Sequence, residues 1–313
     1  MSTVLANIFS AEFVYMWIRV VTPILLASLG GCICNQAGVV NLGLEGIMLL
    51  SALAGVIGGA YGGGLLAGVA CGLGVALLVS LIFAYFHLNM EADATLCGTA
   101  INTFAAGATV MALFTLTGEK GTSSSLLSFS FPTINIPLID RIPILGSIVS
   151  GHNFVTYVAF LVVFLTWFLF YRTPLGLRIR SIGENPDAAA SVGVNVRRTR
   201  YVAILLCGLL TGMGGMYMSM GYLSMFTRGM VAGRGFIALA AAAMGQSTPI
   251  GALLSSMLFA FFESISNTLQ LLALPSQFIR MLPYVATILG LTIYSIQKKN
   301  KAYARAQAAV QEK

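Results

Sequence analysis

The chain has 313 residues, 58% of them hydrophobic and only 9% charged, with 17 Lys and Arg against 10 Asp and Glu. A soluble domain carries roughly 25% charged residues, so this composition excludes a soluble globular protein and describes a polytopic integral membrane protein. The net charge of +7 is concentrated in one internal island and the C-terminal tail, which reads as membrane topology and not as nucleic-acid binding.

A span needs about 20 mostly apolar residues. In chain order the qualifying runs are 14–34, 39–60, 63–87, 95–117, 153–171, 201–221, 233–246, 249–272 and 280–297. The run 233–246 is short and Ala-rich, a half-span or a tilted helix. No Lys or Arg precedes Arg19 and no small-residue cleavage site follows a short apolar core, so the first run is expected to be a retained span and not a signal peptide. The expected fold class is all-α: a polytopic transmembrane helical bundle of about nine spans, one of them a half-span, with broken helices.

Cytoplasmic loops collect Lys and Arg, which puts 172–200 and the tail from Lys298 inside, and then 118–152 and the N-terminus outside. The expected organisation is a transmembrane domain 1–297, with an extracytoplasmic loop 118–152 and a cytoplasmic loop 172–200, followed by a basic cytoplasmic tail 298–313. The tail reads as a solvated end ahead of a weak lipid or partner contact. The loop 118–152 opens polar (GEKGTSSS) and continues apolar, broken by Pro132, Pro137 and Pro143, so it is no clean span. Two readings stay open for it: a re-entrant or surface-lying cap that receives an external protein, or a loop packed on its own helices.

The island 172–200 holds six arginines and only two acids, Glu184 and Asp187. It also spells a complete short helix. Asn185 is a cap, Pro186 suits the first helical position, and Asp187 complements the helix dipole. Ala188, Ala189 and Ala190 are strong helix formers, and Gly193 can terminate in the left-handed conformation. A two-turn helix between basic flanks at a membrane surface is suited to touching another protein; the competing reading is a merely solvated turn.

Glycines four apart, Gly55 to Gly59, Gly59 to Gly63, Gly68 to Gly72 and Gly208 to Gly212, predict close helix approach in lipid. A faint echo joins NLGLEGIMLLSALAG to RGFIALAAAAMGQSTPIGALL, as in an inverted repeat. No Walker A, HExxH or GxSxG pattern occurs, and no catalytic residue is expected. Cys32, Cys34, Cys71, Cys97 and Cys207 sit in apolar segments without metal-ligand spacing, so they read as packing residues and no metal site is expected. His87 and His152 stand alone near span ends and read as interfacial polar residues.

Polar residues inside spans are costly and usually face a cavity or a partner. One group is Asn35, Gln36, Asn41 and Glu45, among Gly38, Gly43 and Gly46, which suggests a broken helix. A second is Thr99, Asn102 and Thr103, and a third Glu263, Ser266, Asn267 and Gln270, each at helical spacing. Arg228 and Arg234 mark the start of the seventh segment. Such groups can line a path for a polar, neutral solute, with Phe104, Tyr222 and Phe226 as aromatic walls. The alternative for each is an interhelical hydrogen bond without a solute. Glu45 reads as structural, capping a neighbouring backbone, although a proton-coupled carrier would use it as a relay.

NLGLEGIMLLSALAG at 41–55, DATLCGTAINTFAAG at 93–107, GENPDAAASVGVNV at 183–196 and RGFIALAAAAMGQSTPIGALL at 234–254 resemble the permeases of ABC importers of the ribose and branched-chain amino acid type. The resemblance spans most of 30–295 and is strongest to nucleoside permeases of the NupQ kind. It implies an import subunit of a bacterial cytoplasmic membrane that binds no cofactor itself. ATP and Mg would sit on a partner, an ABC ATPase with two fused nucleotide-binding domains. A second permease subunit, pairing as a heterodimer, and an extracytoplasmic substrate-binding lipoprotein would complete the assembly in membrane lipid, with no nucleic acid. By this resemblance the island is the coupling helix, from about Pro186 to Val192, with Gly183, Glu184 and Asn185 shaping its approach, Asp187 and Ala188 to Ala190 forming it, and Gly193 ending it. A bulky charged residue at Ala189 would then uncouple ATP hydrolysis from uptake. The family does not fix its substrate residues by motif. The expected pathway residues are Asn41, Glu45, Thr99, Asn102, Phe104, Glu263 and Asn267. The expected cargo is a nucleoside, with a purine nucleoside favoured. A ribose-type monosaccharide permease and a stand-alone secondary carrier are the alternatives.

Overall fold

The structure is a computed structural model that describes residues 10–135, 150–269 and the isolated positions 148, 285, 288, 290, 292 and 296. Pro137, Pro143, Gln270, most of the expected span 280–297 and the tail 298–313 lie outside the described residues. Among the described residues ten α-helices run in chain order: α1 (Ala11–Gln36), α2 (Leu44–Gly62), α3 (Leu65–Asn89), α4 (Ala94–Thr117), α5 (Phe154–Arg172), α6 (Pro174–Glu184), α7 (Pro186–Ser191), α8 (Val196–Tyr217), α9 (Arg234–Met244) and α10 (Pro249–Leu269). A π-helical turn, Met218–Tyr222, extends α8. Among the described residues seven helices are long and apolar enough to cross a membrane: α1 to α5, α8 with its π turn, and α10.

Helix α1 is the central post. Every residue from Val20 to Cys34 is buried, as expected of a helix apolar all round and enclosed by others. It packs on α8, α10, α9 and α5, while α3 and α4 stand further out and expose Leu66, Ile82, Phe86 and Met111. The small-residue spacing does what the sequence predicts. A Cβ added at Gly208 of α8 would lie 1.8 Å from Ser80 Oγ of α3, so only glycine permits the approach.

One end of the bundle is basic. There the Arg197 guanidinium and the Tyr201 hydroxyl of α8 donate to Asn89 Oδ1 at the end of α3 (2.9 and 3.0 Å), and Arg200 Nε donates to the Ala37 carbonyl just past α1. Helices α6 and α7 lie at this end too. At the opposite end, residues 121–131 fold over the bundle. Ser123 exchanges hydrogen bonds with Phe226, through its N–H to the Phe226 carbonyl and its Oγ from the Phe226 N–H, both 2.9 Å; Phe131 N–H donates to the carbonyl of Met220. In its described part the 118–152 loop thus packs on its own helices.

Two helices begin inside the bundle. After α1 ends at Gln36 the chain turns at Gly38 (φ 76°) and climbs as irregular backbone to Leu44. Asn41 Nδ2 there reaches Cys207 Sγ (3.8 Å), 11 residues and about 16 Å along α8. Helix α9 likewise starts deep: its entry residues Gly233 and Gly235 meet Glu45 of α2. From that meeting point α2 runs toward the π turn, where Ser219 Oγ donates to the Ala52 carbonyl (2.8 Å). Helix α9 runs the other way, and Ser247 beyond it accepts from Gln36 Nε2 (3.0 Å). The faint echo in sequence corresponds to two broken helices, N-terminus to N-terminus and oppositely directed.

Candidate functional site

The polar residues at this crossing bind backbone first. Asn41 Oδ1 accepts from Gly43 N–H (2.9 Å), and Asn102 of α4 is bidentate, accepting from Gly46 N–H (2.8 Å) and donating to the Leu42 carbonyl (2.9 Å). Together they satisfy two of the free N–H groups at the start of α2, those of Gly43 and Gly46. Glu45 accepts from Gly233 N–H and Gly235 N–H, each at 2.8 Å, and so caps α9 from another helix. Asn41, Glu45 and Asn102 are therefore brought together as a staple between α4, α2 and α9. For Glu45 this is the structural role expected; for Asn41 and Asn102 it is the interhelical alternative.

Above the crossing, on the side of the π turn, a cavity of about 560 Å³ opens between the π turn, the irregular segment 223–233, α9 and α10. Its size falls in the range of small-molecule sites, roughly 300–1,000 Å³. Glu263, Ser266 and Asn267 of α10 form its polar wall together with Thr227, Arg228 and Arg234, and Met218, Tyr222, Leu223, Met230 and Ile237 form its apolar wall. Arg234 donates to Glu263 Oε1 in an ion pair and to the carbonyls of Met230 (3.1 Å) and Val231 (3.2 Å). Arg19 of α1 stands 4.8 Å from the centre of the Tyr222 ring and donates to the Tyr222 carbonyl (3.2 Å). A π turn distorts the ladder of hydrogen bonds and is frequent at functional sites; this one aims Tyr222 at the cavity.

Of the expected pathway residues, only Glu263 and Asn267 line this cavity. Phe104 is 66% exposed on the outer face of α4, in an apolar groove with Val79, Ile82 and Phe86, and contributes no wall to the site. Asn102 and Phe104 are two residues apart, about 200° around a helix, so they never shared a face. Thr99 is exposed and returns its hydroxyl to the Thr95 and Leu96 carbonyls. Phe226 is fully buried beneath Ser123 and is no cavity wall either. Tyr222, Arg228 and Arg234 belong to the site, whereas the pairing of Arg234 with Glu263 carried no sequence signal. Among the described residues no group of three or more His, Cys, Asp or Glu could hold a metal.

Outside the spans two titratable groups are displaced. Asp93 caps α4, and its bonds from the Leu96 and Thr95 N–H groups hold its carboxyl below the usual range. His152 is buried against α1. Its ring stacks on Tyr15 at 4.1 Å and Nε2–H donates to the Ile148 carbonyl (2.9 Å), while burial, aided by the charge of Arg19, pushes its pKa down.

At the basic end the island folds as spelled. Asn185 Oδ1 caps α7 by accepting from Asp187 N–H (3.1 Å) and Ala188 N–H (3.0 Å), Pro186 occupies the first turn, and Gly193 is left-handed (φ 85°). Gly183 is pressed against the end of α1, where an added Cβ would lie 2.1 Å from the Gln36 carbonyl oxygen. Glu184, Asp187, Ala188 and Ala190 are exposed, but Ala189 is only 3% exposed and packs into the bundle, whereas Val192 is 79% exposed. Ala189 is thus a packing residue, and the outward face available to a partner is formed by its neighbours.

The chain matches the family model described as branched-chain amino acid transport system / permease component over residues 13–294. It is 37% identical over 300 residues to the guanosine ABC transporter permease protein NupQ of Bacillus subtilis, covering 92% of each chain. It is 34% identical over 286 residues to the nucleoside ABC transporter permease protein NupC of Lactococcus lactis subsp. cremoris, covering 87% of this chain and 89% of that one. In fold it is similar to an inward-facing metal-chelate type ABC transporter (TM-score 0.50, 17% identity, 94% of this chain and 90% of that one). The extent of the family match, two relatives above 30% identity over most of the chain and seven apolar helices identify the chain as a multi-pass permease of the bacterial plasma membrane, a member of the branched-chain amino acid transport system / permease component family.

Proposed function

We propose that this chain is a transmembrane subunit of an ATP-driven importer of nucleosides, with purine nucleosides as the favoured cargo. The observation that carries the reading is the cavity of about 560 Å³ that sets a polar wall on α10 opposite an apolar wall containing Tyr222. A nucleoside has the same two-sided chemistry, a flat base and a polar sugar, and an aromatic ring favours a base. The similarity to a guanosine permease and a nucleoside permease supports the same cargo. Alternating access is the mechanism this reading implies. A binding lipoprotein delivers solute at the outer end, a second permease completes the pathway, and a separate ATPase binds ATP and Mg. Closure of that ATPase moves α6 and α7, which pack on α5, α1 and α8. Gly183 against Gln36 transmits the movement to α1.

The test is uptake into proteoliposomes holding the complete transporter. Labelled guanosine should enter only with ATP and the ATPase present, and excess unlabelled nucleosides should compete while ribose does not. Competition by ribose alone would favour a monosaccharide permease. Uptake by this chain without an ATPase would establish a stand-alone carrier.

A further inference from the structure

We infer that Glu263, at the head of a row with Ser266 and Asn267, reads the sugar of the cargo by accepting a hydrogen bond from a ribose hydroxyl. This rests on the nucleoside reading above and assigns a specificity-determining residue within that site. Glu263 is 8% exposed and lines the cavity. Arg234 holds Oε1; Oε2 is shielded from water and has no hydrogen-bond partner among the described residues. A buried carboxylate oxygen left without a donor is expensive, and an ionised carboxylate accepts only. An O–H or N–H that arrives with the cargo would supply that partner.

The placement favours the sugar over the base as its source. Glu263, Ser266 and Asn267 fall at i, i+3 and i+4 on one face of α10, so a carboxylate, a hydroxyl and an amide succeed one another within about one 5.4 Å turn. That row suits vicinal hydroxyls, each able to donate and to accept. The flat base is left for Tyr222, Met218 and Leu223 across the cavity.

The assembled transporter, with its ATPase and binding protein, is assayed for uptake of guanosine, 2′-deoxyguanosine and 3′-deoxyguanosine by wild type, Glu263→Gln and Asn267→Ala. All variants share one binding protein, so a change in the ratio of ribo to deoxy uptake reports the permease alone. Wild type should prefer guanosine over the less favoured deoxy form by about tenfold, the loss of one hydrogen bond to a charged acceptor. In Glu263→Gln that preference should fall below about twofold, with Asn267→Ala between the two. Equal loss of ribo and deoxy uptake in both variants would overturn the assignment and leave Glu263 as the partner of Arg234 only. If Glu263→Gln fails to assemble, Asn267→Ala decides, and an unchanged ratio there overturns the assignment. A wild type that takes up no nucleoside sinks the cargo reading itself, a failure visible before any variant is compared.

Discussion

Helices α7 and α9 are both short, and both depend on a cap, but the caps come from different distances. For α7 the acceptor is Asn185, the residue immediately before it. For α9 it is Glu45, 188 residues before Gly233 and on another helix. A local cap makes an element that carries its own instructions and can serve as a self-contained handle. A distant cap makes an element whose position reports on another part of the molecule. The difference teaches how position is held: α7 is fixed by its own neighbours, α9 is kept in register with α2 and, through Arg234 and Glu263, with α10.

The largest effect expected from breaking this contrast is at Glu45. Glu45→Ala leaves two N–H groups at the start of α9 without an acceptor inside the bundle. At ~1–3 kcal/mol for each unsatisfied buried group, the loss should be about 2–6 kcal/mol. Thermal unfolding of the detergent-solubilised protein measures it, and ATP-driven uptake should fall with it because Arg234 loses its placement. Glu45→Gln keeps one acceptor oxygen and should restore part of both. Full uptake by Glu45→Ala would show that α9 holds its position without the distant cap.

Next comes a pair on α7. Ala189→Leu places three extra carbons in a packed position and should cost about 1–3 kcal/mol by overpacking. Val192→Glu, on the exposed side, should leave unfolding within about 0.5 kcal/mol of wild type, as surface changes do. Its effect should appear in function, as ATP hydrolysis no longer matched by uptake. If Ala189→Leu alone uncouples and Val192→Glu does not, the docking face has been placed on the wrong side of the helix. The local cap ranks third: Asn185→Ala should cost about 1 kcal/mol and loosen α7 without disturbing the spans. Hydrogen exchange confined to residues near 185–193 would bear this out, whereas exchange spreading into α8 would show that α7 is not self-contained.

The same contrast explains what the sequence could tell. Asn185, Pro186 and Gly193 act on residues within a few positions of themselves, so their roles were legible as written. The run 233–246 was legible as short, a half-span or a tilted helix, and the Gly208 contact as a small-residue spacing. Glu45 was legible as a cap, but its partner was not, because nothing in residues 41–55 points to Gly233. Asn102 announced a polar face on α4, yet whether that face met solute or backbone depended on α2. Phe104 lies on the exposed side of α4, away from the cavity on α10. Glu263 and Asn267 shared a face by spacing alone, whereas Tyr222 needed the π turn to bring it opposite them. Composition and period fix what a helix carries; only packing fixes what it faces.

The smallest effect separates distance from titration. His152 joins the outer loop to α1 by stacking on Tyr15, and the Tyr15 hydroxyl donates to the Gly151 carbonyl (2.8 Å), so this too is a long-range contact. Unlike the cap on α9, it carries a group that titrates outside the spans. Burial holds the folded imidazole neutral to a pH below its ordinary value of 6.5, whereas the unfolded chain takes up its proton near that value. The unfolded state therefore binds more protons in this window, and stability is lost as pH falls from 6.5 toward the lowered folded value, with no change from this group above 6.5. His152→Phe keeps an aromatic ring beside Tyr15 and removes the titration. The unfolding temperature of wild type should drop relative to that of His152→Phe between pH 7.5 and pH 5.5. Parallel curves for the two proteins across that range would mean that the outer loop is held by its backbone contacts to Phe226 and Met220, and that the stack only fills space.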